Sequence, residues 1–244
     1  MMAGPIRPQK TALLVAQRIV ADINRSGKRA GDRLPPEREM LETYQIGRAT
    51  LREALRLLEF QGVISMRPGP KGGPAVEQPD SSLVGGALSL LLQFAEAPLD
   101  SVVESLRVLE PHMVRLAAER IDEKQLNDLA AHLDSMGDSL DDQERFLEER
   151  ARSYEVLAEA AGNPLLSYLV DALWSILDHS VAGTDYLRSR CVDVHRLHVQ
   201  MYEAITRGNP RAAAAAMEKH IDEFVTFAQS RYPELLNASV EWTG

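Results

Sequence analysis

Cysteine is almost missing from this chain: 244 residues contain one, Cys191. A single thiol cannot build a disulfide framework, so a reducing compartment, the cytoplasm, is expected. Long apolar runs are missing as well. Ala12 to Ile19 is interrupted by Gln17 and Arg18, so nothing resembles a secretory leader. Leu83 to Ala95 is too short for a bilayer and holds two glycines and a glutamine. No membrane is therefore expected among the partners. The sequence also lacks HExxH, a Gly-rich phosphate loop, a GxSxG elbow and a CxxC pair.

Positive charge is scarce overall, with a formal net charge of −9, but it is unevenly spread. Residues 1–78 carry 13 Lys and Arg against 8 Asp and Glu, a net of +5. Residues 79–244 carry 14 against 28, a net of −14. The basic end can meet nucleic acid, and the acidic remainder would keep such contacts at that end.

Within the basic end, Arg48, Arg52 and Arg56 recur every four residues and form one ridge of a helix predicted over Arg48–Glu59. Leu51, Ala54, Leu55 and Leu58 occupy another face and can bury. A solvated amphipathic helix would show the same pattern, so the flanks decide. Upstream, Pro36 opens a short helix that carries Glu37 and Glu39 near its start and stops in the turn Gln45-Ile46-Gly47. Two helices joined by a Gly-containing turn make a helix-turn-helix. Downstream, Gln61 to Met66 reads as a Gly-terminated helix end followed by a short β-like run, and Ala75 to Glu77 as the return strand. The tip between them is rich in Pro and Gly, and Arg67 and Lys71 flank it as a wing. A first helix from about Thr11 to Ser26 would bury Leu13, Leu14, Ala16, Ile19, Val20 and Ile23. Lys28 and Arg29 follow it, for phosphate contact or for solubility alone.

These motifs resemble the N-terminal domain of GntR-family transcription regulators. The resemblance runs through Gly31-Asp32-Arg33-Leu34-Pro35-Pro36-Glu37-Arg38-Glu39, then Arg48 to Leu55, then Gly62-Val63-Ile64. It implies operator contacts from Arg38, Arg48 and Arg52, with the wing reaching the adjacent minor groove. Arg33, Thr50, Arg67 and Lys71 complete the expected DNA-binding set. The Pro/Gly-rich wing tip is the main departure from the family pattern.

Beyond a linker at 79–82, everything reads as helix, over about 83–95, 99–120, 123–137, 141–161, 164–181, 187–207 and 210–231. Gly162-Asn163-Pro164 and Gly208-Asn209-Pro210 act as stops. The expected fold is mainly α. It comprises a winged helix-turn-helix domain (1–78, three helices and a two-stranded wing), an all-α bundle of about seven helices (83–232), and a tail (233–244).

The second part resembles the FCD effector-binding domain of the FadR subfamily. The matching residues are Arg107-x-x-Glu110, Leu116-Ala117-Ala118, Ala158 to Asn163, His198 with Ala204-Ile205, Gly208-Asn209-Pro210, Ala214, Met217 and His220. The extra helix near 83–95 fits the seven-helix type. Many such domains hold a metal through one Asp and three His. Here Arg150 and Tyr154 stand at the first two of those positions, while His198 and His220 remain. Two imidazoles are too few for a closed four-ligand site, so no cofactor is favoured and a divalent ion such as zinc is the lesser alternative. Cys191, His195 and His198 also fall roughly on one helix face.

The reading is a ligand-responsive DNA-binding regulator and not an enzyme. It is expected to be a homodimeric repressor released from a short palindromic operator by an anionic effector, an organic acid or fatty-acyl derivative. In the expected effector site, Pro111 kinks the long helix and aims Arg107, which grips the anion with Arg150; Tyr154, His198 and His220 form polar walls. Alternatively Arg150 points to solvent among Glu144, Glu148 and Glu149. The competing class is an all-α enzyme with a His-based site and an attached nucleic-acid module. No sequence signal supplies its nucleophile or activated water.

Overall fold

A computed structural model describes residues 8–69, 72–180 and 188–242. The chain divides into two compact units, Met1–Leu83 and Val84–Gly244. The first contains α1 (Pro8–Ser26), α2 (Glu37–Tyr44), α3 (Arg48–Phe60), β1 (Ile64–Arg67) and β2 (Gly73–Val76). Helix α1 starts at Pro8, three residues before the expected Thr11, because proline fits a helix's first turn. Its buried face is Ala12, Val15, Ala16, Ile19 and Ile23. Leu13 and Leu14, expected inside, remain 46% and 48% exposed. The 3.6-residue period allows one stripe, and the smaller residues occupy it so that α1 can pack on α3.

Helix α3 buries Leu51, Ala54, Leu55 and Leu58, as its sequence demands. The turn before it places Gln45 in the left-handed region (φ 53°), where its N–H closes α2 on the Leu41 carbonyl. The antiparallel wing pairs Ile64 with Val76 and Arg67 with Gly73. Ile64 and Val76 anchor its base in the same core as α1 and α3.

Seven helices follow among the described residues: α4 (Ser82–Phe94), α5 (Leu99–Arg120), α6 (Glu123–Asp138), α7 (Gln143–Ala161), α8 (Pro164–Ser180), α9 (Arg188–Thr206) and α10 (Pro210–Arg231). Local chemistry sets their ends. Asp122 and Gln125 form a reciprocal capping box on α6, Gly162 ends α7 at φ 61°, and Asn209 caps α10 with Pro210 behind it. Helix α5 packs against α10, α7 and α8, and α9 against α10 and α6, so α5, α7, α9 and α10 enclose the centre.

The C-terminal residues, expected as a tail, are docked. Leu236 and Val240 are buried, and the Ala238 and Leu236 carbonyls accept hydrogen bonds from the first N–H groups of α5, Leu99 and Asp100, at 3.0 and 2.9 Å. Pro98 offers no side-chain cap, so this segment supplies the missing acceptors.

Two neighbouring glycines of α4 have opposite roles. A Cβ on Gly85 would lie 2.4 Å from Ser175 Oγ and 3.3 Å from the Ala172 carbonyl of α8, whereas one on Gly86 meets nothing within 4 Å. Gly85→Val should therefore cost ~1–3 kcal/mol through overpacking. Gly86→Ala should gain up to ~1 kcal/mol of helix propensity. Urea midpoints moving in the same direction for both variants would refute this close α4–α8 approach.

Candidate nucleic-acid interface and effector cavity

The face of α3 opposite its buried leucines presents Arg48, Arg52 and Arg56, all exposed. Gly47 provides no side-chain cap, so no side chain takes up the first-turn N–H groups beside Arg48 and Thr50. Such a helix start favours an anion. Arg52 Nε lies 3.8 Å from Glu37 of α2, and Arg38 Nε lies 3.6 Å from Glu42. Both pairs are open to solvent and loosely held, so either guanidinium can exchange its partner for DNA. Arg33 is exposed beside the wing and bridges Ala75 through its backbone; Arg67 ends β1 and is exposed. Lys28 donates to the Arg33 carbonyl at 3.0 Å. Lys71 lies outside the described residues.

In the second unit a row of stacked side chains crosses the bundle. The Arg150 guanidinium sits 6.0 Å from the Tyr154 ring and 5.7 Å from the Trp174 ring. Tyr154 meets His198 edge-to-face at 5.3 Å, and His198 meets His220 in the same way at 5.2 Å. Both histidines are buried, and among the described residues His198 Nε2 and His220 Nδ1 have no hydrogen-bond partner. Burial, reinforced by the Arg150 charge, lowers His198 from its usual 6.5 to about 3. Burial first, then His198 and Arg150, lowers His220 as well. Both rings are therefore neutral at pH 7. Over the Arg150–Tyr154 end of this row lies a pocket of about 260 Å³, lined by Arg150, Tyr154, Trp174, Ser175 and Met113; His198 and His220 stand behind Tyr154 and are not among its described walls. Glu155, Asp171 and Asp178 also line it.

Beneath it stands Glu110, which the sequence reading used only as a motif position. It is fully buried, and its Oε1 accepts from Trp174 Nε1 at 3.1 Å. Burial raises its pKa to about 7 against the opposing pull of Trp174, Arg150 and Tyr154. Arg107 departs from expectation. Its Nη2 pairs with Asp222 of α10 at 2.9 Å with the side chain 41% exposed, away from this group. Helix α5 runs through Pro111 as one element, and the residue it directs inward is Glu110, one turn beyond Arg107. Arg150, by contrast, lies against the aromatic rings. Glu149, one of the acids offered as its solvent-side neighbours, is occupied by Arg152 at 3.0 Å and His132 at 2.8 Å.

The comparisons with known proteins agree with this two-part layout. Residues 11–70 match the model for bacterial regulatory proteins of the gntR family, and residues 101–223 match the FCD domain. This chain belongs to the GntR family. Its second unit is an FCD domain, and it is a DNA-binding transcriptional regulator, not an enzyme. Among its relatives, the HTH-type transcriptional repressor NanR of Citrobacter rodentium is 29% identical over 226 residues, covering 89% of this chain and 85% of that protein. NanR of Shigella flexneri is also 29% identical, covering 89% and 84%. The solved structure of a Streptococcus agalactiae GntR superimposes with a TM-score of 0.63 at 24% identity, covering 87% of this chain and 98% of that one, which shows a shared fold.

A metal in this FCD domain would have to use the donors that face the centre. His198 and His220 each offer a free buried nitrogen, but no group of three His, Cys, Asp or Glu converges among the described residues. Arg150 brings positive charge where a dication would need an anion. The Cys191, His195, His198 face splits: His195 Nε2 is bonded to the Leu133 carbonyl at 3.0 Å, and Cys191 is buried. This donor set does not fit a closed metal site. Arg190 was missed by the sequence reading. It is buried at 4% exposure, and its charge bears on both His198 and His220. Only its position eight residues before His198, roughly two helical turns, could have marked it.

Proposed function

We propose that this regulator represses transcription as a cytoplasmic homodimer bound to a palindromic operator, and that a small carboxylate entering the Arg150 cavity releases it. The observation that carries the effector reading is the row Arg150–Tyr154–His198–His220, whose Arg150–Tyr154 end lines a pocket of an FCD domain and whose buried imidazoles lie behind Tyr154 with nitrogens unpartnered among the described residues. Buried polar atoms without partners are uncommon, and they mark a place that a ligand completes. Arg150 would hold the carboxylate, with Tyr154 and Trp174 as walls, and the neutral imidazoles would meet a ligand that extends past the Tyr154 ring. Glu155 and Asp171 at the wall oppose an anion, so anchoring falls to Arg150. The volume of about 260 Å³ favours a short organic acid over a fatty-acyl chain. In this reading the Arg150 charge takes over the metal's role, so binding needs no divalent ion. Repression is the role named for the NanR relatives, and a two-fold protein suits a palindrome, each protomer giving α3 to one half-site.

The test titrates the purified protein, bound to an operator selected from random-sequence DNA, with organic acids and acyl-CoAs, with and without chelator. A short organic acid should release the DNA and raise the melting temperature in both conditions, and Arg150→Met should weaken that acid at least tenfold. Release that disappears with chelator, or unchanged affinity in Arg150→Met, would overturn the metal-free cavity.

A further inference from the structure

A second pocket, of about 360 Å³, lies between α9 and α10. Its walls include Ser189, Arg190, Arg196, Thr226, Phe227 and Ser230. Two acids, Asp193 and Glu223, also line it, but both are engaged. Glu223 accepts two hydrogen bonds from Arg196 at 3.1 Å and lies 4.0 Å from Lys219, while Asp193 stands 3.5 Å from Arg196. Arg190 is the odd member. It is 4% exposed, yet among the described residues it makes no hydrogen bond or ion pair, and its buried Nε has no acceptor. Its guanidinium lies 5.4 Å from the centre of the Phe227 ring. An aromatic face supports a cation but leaves its N–H edges without acceptors. Buried arginine is normally paired, because an uncompensated charge out of water is costly. Here the charge, the free donors and the cavity coincide.

We propose that this α9–α10 pocket is a second ligand site that binds a small oxyanion, a carboxylate or a phosphate, as the ion-pair partner of Arg190. The oxyanion sits on the guanidinium edge, and the hydroxyls of Ser189, Thr226 and Ser230 reach it from the rim. Thr226 and Ser230 now donate to the Asp222 and Phe227 carbonyls at 2.9 and 3.0 Å, so each needs only a hydroxyl rotation to turn inward. The site does not rest on the Arg150 reading, since no described residue lines both pockets.

The experiment uses the full chain, titrated calorimetrically with sodium phosphate and with sodium citrate at constant ionic strength, chloride being the control. At least one of the two should bind saturably and raise the melting temperature; which one does so tells phosphate from carboxylate chemistry. Arg190→Met keeps the stem over Phe227 but removes the charge, and should weaken that binding at least tenfold, while Arg150→Met leaves it within twofold. Ser230→Glu supplies a counter-ion from within the chain, and should raise the melting temperature without added anion and abolish the response to it. This second variant decides the matter if Arg190→Met does not fold. Absence of saturable binding by either anion would overturn the proposal. So would binding lost in Arg150→Met but kept in Arg190→Met, or a Ser230→Glu variant that responds like the wild type.

Discussion

Arg52→Ala and Arg48→Ala are each expected to weaken operator binding by ~1–3 kcal/mol at fixed salt, which is about 5- to 150-fold, and to relax sequence preference at one position of each half-site. The reason is the rigidity of the ridge. Leu51, Ala54, Leu55 and Leu58 lock α3 against α1 and the wing, so the direction of its exposed face is set before DNA arrives. Residues at the start of such a helix are the ones that meet base edges, and arginine can bond guanine O6 and N7 together. Arg52 first has to leave Glu37, but an exposed pair at 3.8 Å is worth ~0–1 kcal/mol, less than a bidentate base contact. Glu37→Gln should therefore change affinity little beside Arg52→Ala. Electrophoretic or fluorescence titration of a selected operator measures all three. If both arginine variants bind as the wild type does, α3 is not the reading helix.

The second large effect is in stability against pH. His198 and His220 are neutral in the folded chain well below pH 6.5, whereas the unfolded chain protonates both there. Each therefore removes ~1.4 kcal/mol of stability per unit as pH falls below 6.5. Glu110 acts the other way. Its folded pKa of about 7 exceeds the usual 4.5, so between those values the folded chain holds a proton the unfolded one has lost, and stability rises as pH falls. Between pH 6.5 and 4.5 the three groups together leave a net loss of ~1.4 kcal/mol per pH unit. Glu110→Gln removes the opposing contribution and should steepen the loss to ~2.7 kcal/mol per unit. His198→Asn should flatten it towards zero. Urea unfolding from pH 5 to 6.5 reads these slopes as differences from the wild type, which cancels the carboxylates common to all variants. A Glu110→Gln slope no steeper than wild type would show that Glu110 is not held protonated.

Most of the secondary structure is legible in the sequence because its signals are local. Gly-Asn-Pro triplets stop helices wherever they occur, and the α3 stripe needs no knowledge of its partner. What escaped depends on distant residues. Leu13 and Leu14 look more hydrophobic than Ala12 and Val15, but the close approach of α3 selects the smaller side chains. Arg107 and Glu110 lie one turn apart on α5, and only the position of Asp222 on α10 and Trp174 on α8 decides which of them turns inward. Arg190 sits in a stretch with ordinary composition. Its burial follows from Phe227, on another helix. The FCD motifs located His198 and His220, and the structure adds the burial and the Arg150 and Arg190 charges that keep them neutral.

The C-terminal stitch onto α5 also sets a timetable. The winged unit is compact within the first 83 residues and can close as soon as they are made. The start of α5 cannot complete its hydrogen bonds until residues 236–240 exist, since its partners are the Leu236 and Ala238 carbonyls. At a synthesis rate of ~5–20 residues per second, those two ends of the domain emerge roughly seven to thirty seconds apart. During that interval the nascent chain carries a finished DNA-reading head and an effector domain with an open seam. Ligand sensing is thus the last competence the polypeptide acquires, and a message truncated shortly before codon 236 would yield a protein able to grasp DNA but poorly equipped to be told to let go.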